Sequence, residues 1–144
     1  MKTKIRIKKI HPNAKLPEYA HQGDAGMDLF SVEDVILPPK HRRAVATGLQ
    51  IEVPEGYEMQ IRPKSGLAIT RGITVLNTPG TVDAGYRGEI KIIMINLSNE
   101  DYHVEKGDKI AQAVINKFET VKIEESKTLS ESERGKKGFG STGK

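Results

Sequence analysis

An all-β fold, a sandwich or barrel of short strands, follows from three observations. Short apolar or alternating runs rich in Ile and Val recur along the chain, and such residues suit a pleated, half-buried surface. Gly and Pro signals part these runs at close spacing, the pattern of sandwiches and barrels. Helical periodicity is scarce: the chain has no heptads, no internal repeat and no alternation of strand and helix patterns.

Taken in order, Ile5 to Ile10 is the first strand. Lys2, Lys4, Arg6, Lys8 and Lys9 form its polar face, with Ile5 and Ile7 inward. Around Asp28, Met27 and Leu29 alternate with Asp28 and Phe30, which predicts one apolar and one polar face; a lone Asp there reads as structural. Val35 to Leu37 is stopped by Pro38-Pro39. Arg42 to Thr47, Leu49 to Val53 and Tyr57 to Ile61 follow as three strands, parted by Gly48 and by Pro54-Glu55-Gly56. Ser65 to Thr70 reads as a single helical turn with Ser65 as N-cap. Ile73 to Leu76 and Ile90 to Ile95 flank a long hairpin. Tyr102 to Val104, a Lys106-Gly107-Asp108 turn and Ile110 to Phe118 complete the series. Residues 1–123 thus form one β domain.

From about Glu124 the chain is charged and almost devoid of large apolar side chains, then rich in glycine. Such a segment cannot bury enough surface to offset its ordering entropy. Residues 124–144 are therefore expected to be a mobile arm. Phe139, one of only three Phe in the chain, stands there between two glycines, where it cannot join a core.

The 144 residues suffice for one domain with a sizeable core. Absence of cysteine excludes a disulfide framework and a thiolate metal site. The N-terminal stretch lacks the apolar core of a signal peptide, about 7–15 residues long, and no run approaches membrane-spanning length; cytoplasm is expected. A formal net charge of +4 suits an anionic ligand without naming it. His11, His21, His41 and His103 have no metal-ligand spacing.

Three stretches carry chemistry. The first, Asn77 to Ile90, reads N-T-P-G-T-V-D-A-G-Y-R-G-E-I and crowds Asp83, Tyr86, Arg87 and Glu89 onto a bend. A hairpin needs Gly and Asn, not this cargo; on spacing alone a solvated turn and a site remain equal readings. In the second, Lys64-Ser65-Gly66 opens the helical turn, either as a capped turn or as an anion site built from charge, hydroxyl and backbone N–H groups. Third, Gly138 to Lys144 matches glycine-rich phosphate motifs in letters only, for it lacks the strand before and helix after that those motifs require. What survives is a glycine backbone open to phosphate, with Ser141 and Thr142 hydroxyls and the Arg134 fork. Gln112 in the last strand is by itself an ordinary core or edge amide.

The hairpin resembles the third motif of the trimeric deoxyuridine triphosphatases (dUTP pyrophosphatases). Four further segments match that family in order: A-G-M-D-L-F-S from Ala25, R-P-K-S-G-L-A from Arg62, K-I-A-Q-A-V from Lys109, and R-G-K-K-G-F-G-S-T-G from Arg134. Together they cover nearly the whole chain. Lys64 stands where the family usually has Arg, and Lys137 where it usually has Gly.

The resemblance implies a distorted jelly-roll, or β-clip barrel, with at most one short helix. It implies hydrolysis of dUTP to dUMP and pyrophosphate with Mg²⁺, and Asp83 as the base that directs water at the α-phosphorus. Tyr86 is implied to pack under the deoxyribose. Asn77 and the backbone at Thr81 and Val82 pair with uracil, and Lys91 touches the base through its backbone. Lys64, Ser65, Gly66 and Gln112 are implied to hold the phosphates. Arg134, Ser141 and Thr142 are implied to lie near the γ-phosphate, Phe139 to stack on uracil, and Gly140 to belong to the same substrate-binding set. Asp28 is implied to support the Mg²⁺–triphosphate through water. A homotrimer is implied, each site drawing on three subunits, with no nucleic-acid or membrane partner. A dCTP deaminase, which shares the fold, and a non-catalytic nucleotide-binding module are the rival readings; ammonia release from dCTP separates the first.

Overall fold

The computed structural model describes residues 3–143. Lys2 of the first strand's polar face and Lys144 of the glycine-rich end lie outside the described residues. Within them the order is β1 (Arg6–Lys9), β2 (Glu18–Tyr19), β3 (Met27–Phe30), β4 (Val35–Leu37), β5 (Arg42–Glu52), β6 (Tyr57–Arg62), α1 (Ser65–Arg71), β7 (Ile73–Val75), β8 (Gly80–Val82), β9 (Glu89–Asn96), β10 (Tyr102–Val104) and β11 (Lys109–Lys117). No helix among the described residues is long and apolar enough to cross a membrane.

The strands form a four-stranded sheet β1-β5-β9-β7, a five-stranded sheet β2-β3-β11-β6-β8 and the pair β10-β4. Every pairing is antiparallel. The three sheets do not close into a barrel; the arrangement is an open jelly-roll. One apolar cluster joins them, with Val45, Leu49, Ile92 and Met94 from the first sheet and Leu29, Met59 and Ile61 from the second. Period-two burial puts these side chains inward: in β9, Ile90, Ile92 and Met94 are buried and Lys91 is exposed.

Several sequence expectations change. Arg42 to Glu52 is one strand, not two. Gly48 sits at a register shift between Ala46 and Gln50, with φ of 69°. A Cβ there would stand 2.8 Å from the His11 Cβ, so glycine bends the strand without ending it. β3 has no exposed face, because all four residues are buried; the polar side of the alternation, Asp28, is covered by Lys64 and Lys109. The Lys15 ammonium lies 5.2 Å from the centroid of the Phe30 ring. Lys64, not Ser65, is the N-cap of α1, in extended conformation and without a side-chain cap bond. The largest change concerns the central hairpin. β7 and β9 do pair, Val75 opposite Met94. Between them, however, β8 leaves for the other sheet, with Ile61 opposite Gly80 and Met59 opposite Val82. Pro79-Gly80 at its start reads as turn punctuation, which hides the strand in the bend.

Candidate active site

The segment from β8 to β9 walls a cleft of about 530 Å³ that gathers Thr81, Val82, Asp83, Tyr86, Glu89 and Lys91. β8 is the edge of its sheet. One side of its backbone therefore keeps unpaired N–H and C=O groups, the donor and acceptor pattern a planar base edge needs. The bend beyond it is braced. Tyr86 N–H donates to the Asp83 carbonyl at 3.1 Å, and the Tyr86 hydroxyl donates to the Glu89 carbonyl at 3.0 Å. Arg87 Nη1 donates to the Ala84 and Tyr86 carbonyls at 2.6 and 2.9 Å. Arg87 is thus a staple for the bend. Gly88 makes room for the phenol: a Cβ there would lie 2.3 Å from the Tyr86 hydroxyl oxygen. The outcome is an exposed carboxylate, Asp83, and a fixed aromatic ring, Tyr86, at one mouth. Asn77 is exposed beside β8, its Nδ2 3.4 Å from where a Gly80 Cβ would stand.

A second cluster forms on β3 and β11. Asp28 is opposite Gln112 in register, and its side chain is only 6 % exposed. One carboxylate oxygen pairs with Lys64 Nζ, the other with Lys109 Nζ at 3.0 Å. Burial pushes the Asp28 carboxyl up, but the hydrogen bonds and charges of Lys64 and Lys109 outweigh it and hold the group below the usual range. Gln112 Nε2 donates to the Pro63 carbonyl at 3.0 Å, which ties down the backbone next to Lys64. Its Oε1 occupies the space a Gly26 Cβ would need, 2.1 Å away. Ser65 and Gly66 stand exposed at the start of α1.

The third part stands apart. Arg134, Phe139, Gly140, Ser141 and Thr142 are exposed, Phe139 wholly so. Among the described residues, the hydrogen bonds of 119–143 stay inside that segment, as in Arg134 Nε to the Lys137 carbonyl at 2.9 Å. Lys137, the departure from the expected Gly, thus accepts through its backbone, a role open to any residue.

The dUTPase family model matches residues 12–143. The deoxyuridine 5'-triphosphate nucleotidohydrolase of Clostridium tetani is 61 % identical over 140 residues, 97 % of each chain. That of Wolinella succinogenes is 54 % identical over 99 % of this chain and 96 % of its own. The chain belongs to the dUTPase family. Among solved structures, a mutant dUTPase of Staphylococcus bacteriophage 80alpha with dUpNHpp superposes with a TM-score of 0.91 at 30 % identity, over 97 % of this chain and 98 % of the other. A mutant dUTPase from phage phi11 of S. aureus, described as coordinating a structural Mg(II) ion, superposes with a TM-score of 0.81 at 26 % identity, over 88 % and 98 %.

In this chain the expected residues fall into three groups: the β8–β9 cleft, whose lining includes neither Lys64 nor Gln112, the Asp28 cluster with Lys64 and Gln112, and the terminal arm, whose described hydrogen bonds stay within it. Each Asp28 oxygen already holds one ammonium, which disfavours direct metal ligation but leaves each oxygen a second acceptor site, open to a water. Among the described residues no three His, Cys, Asp or Glu gather to hold an ion. Lys109 escaped the sequence reading for a definite reason. Three residues from Gln112, it belongs on the opposite face of a regular strand. A register shift between Lys109 and Ala111 turns it to face Asp28.

Proposed function

We propose that this chain hydrolyses dUTP to dUMP and pyrophosphate, with Asp83 as the base. The observation that carries this is the β8–β9 cleft, where an exposed carboxylate, an immobilised Tyr86 ring and an unpaired strand edge meet. Uracil pairs with the backbone at Thr81 and Val82, with Asn77 beside it and Lys91 at the far wall. The Tyr86 ring packs under the deoxyribose and leaves no space for a 2′-hydroxyl. Asp83 accepts a proton from water as its oxygen bonds to the α-phosphorus. The bond from that phosphorus to the bridging oxygen breaks, and pyrophosphate leaves with the electron pair.

Lys64, Ser65, Gly66 and Gln112 receive the phosphates, where fixed donors absorb developing charge. Asp28 positions Lys64. Mg²⁺ would be held mainly by the triphosphate itself, with Asp28 supporting it through water, and would lower the charge that these donors face. The arm brings Arg134, Ser141 and Thr142 to the γ-phosphate and Phe139 over the base, with Gly140 letting the backbone close in. Because the cleft lining includes neither the Lys64 cluster nor the arm, and the arm's described hydrogen bonds are all internal, we place the three groups together in a homotrimer, each arm completing a neighbour's site.

The test is pyrophosphate release from dUTP, UTP, dCTP and dTTP, with ammonia followed in parallel. Release from dUTP alone is expected, with no ammonia from dCTP. Asp83→Asn is expected to keep binding a non-hydrolysable dUTP analogue while losing turnover by roughly 10² or more. Near wild-type turnover in that variant would remove Asp83 as base.

A further inference from the structure

The phosphate cluster as described lacks a planar donor fork. Lys64 is a compact point charge, and one side of it is committed to Asp28. Lys109 is committed to the same carboxylate. Two residues before Lys64 stands Arg62, at the end of β6. Its Cα partner across the strands is Gln112, whose other partner is Asp28. Asp28, Gln112 and Arg62 thus form one row over three adjacent strands, with side chains on one face. The extended backbone at Lys64 continues the alternation, so Lys64 rises on that face too. The Gln112 bond to the Pro63 carbonyl anchors the peptide between the two cations.

Arg62 is exposed, yet it is held in a set orientation. Its Nε and Nη2 both donate to Gln60 Oε1, at 3.1 and 2.8 Å. Gln60 Nε2 in turn donates to Glu58 Oε1 at 2.7 Å. Glu58, Gln60 and Arg62 alternate along β6 and share the face. This carboxylate–amide–guanidinium ladder uses two of the five guanidinium N–H donors. The other three, both on Nη1 among them, make no hydrogen bond among the described residues. A guanidinium fixed along one edge loses little freedom when its other edge takes up a ligand.

We propose that Arg62 is a further phosphate-binding residue of this enzyme, supplying the bidentate fork that Lys64 lacks, with Gln60 and Glu58 as its positioning residues. The proposal rests on the dUTP-hydrolysing reading of the site. Division of labour follows: Lys64 offers charge, Arg62 offers geometry. The substrate portion concerned is the β,γ-diphosphate, which dUMP lacks.

Steady-state kinetics on the full-length protein at fixed ionic strength tests it, with wild type, Arg62→Gln, Arg62→Lys, and Arg62→Gln combined with Lys64→Arg. Arg62→Gln is expected to lower kcat/KM for dUTP by about 10- to 100-fold, the scale of a lost charged hydrogen bond. Arg62→Lys keeps the charge and should recover little of the loss. Lys64→Arg in the double variant should restore at least about tenfold, because a fork returns to the same face. Affinity for dUMP should change by less than about twofold. A merely structural Arg62 would not show this rescue, nor this split between dUTP and dUMP. Wild-type kcat/KM in Arg62→Gln, or a loss that Lys64→Arg does not relieve, would overturn the proposal. Should the wild type release no pyrophosphate from dUTP, the functional reading fails first; calorimetry with a non-hydrolysable dUTP analogue on the same variants then decides Arg62 by itself.

Discussion

Asp28 shows at single-residue scale how a buried carboxylate is kept charged. Burial alone would favour the neutral acid, yet two lysines from different elements hold the anion. The folded-state pKa lies below the unfolded one, so the stabilisation is complete above about pH 3.9, the ordinary Asp value. It is lost as pH falls through the lower folded-state value. Asp28→Asn is therefore expected to cost about 1.5–3 kcal/mol at pH 7, the range for hydrogen bonds to charged groups. Urea midpoints of wild type and variant should converge as the pH drops below about 3.9. A gap that persists unchanged at pH 3 would mean that the pair of lysines is not its source. Asp28 itself was legible in the sequence as a structural acid; its partners were not. Lys64 reaches it only because β11 and β6 are neighbours, and Lys109 only because a bulge resets the alternation. Neither fact follows from local periodicity.

At the scale of elements, strands set off by apolar runs were legible, even the three-residue β4 and β10, and strands that carry glycine punctuation were not. β9 and β11 stand almost where their Ile, Val and Ala patterns put them. β5 was split in two because Gly48 reads as punctuation, whereas its positive φ is accommodated in a bulge. β8 hides in the bend because Pro79-Gly80 at its start reads as a turn. Composition alone sets residues 124–144 apart as an expected arm, and none of residues 134–143 is buried. Deleting 134–144 is thus expected to leave thermal stability within about 0.5 kcal/mol of the intact chain. The same deletion should lower kcat/KM for dUTP by at least about tenfold, since positioning groups go with it. Full kcat/KM in the truncated protein would exclude the arm from the site.

For the whole molecule, a cleft whose lining includes neither the lysine cluster nor the arm is the basis for expecting assembly. Residues 118–144 span at most ~85–95 Å when extended, so reach to a neighbouring copy is not limiting. Sedimentation is expected to report about three times the 15.9 kDa chain mass. Mixing an Asp83→Asn protein with an arm-deleted one should regenerate activity in hybrid trimers. A fully active monomer would sink the shared-site reading.

The excursion of β8 into the second sheet has a mechanical consequence. Thr81 to Asp83 follow one sheet, while Lys91 and Ile93 belong to the other, and all face the same cleft. The cleft is therefore a seam, and a nucleotide lodged in it is a clasp across that seam. Pulled so that the two sheets slide past one another, the occupied molecule should part at higher force than the empty one. Core substitutions that let the sheets creep should likewise blur base discrimination, although they touch no residue that meets the base.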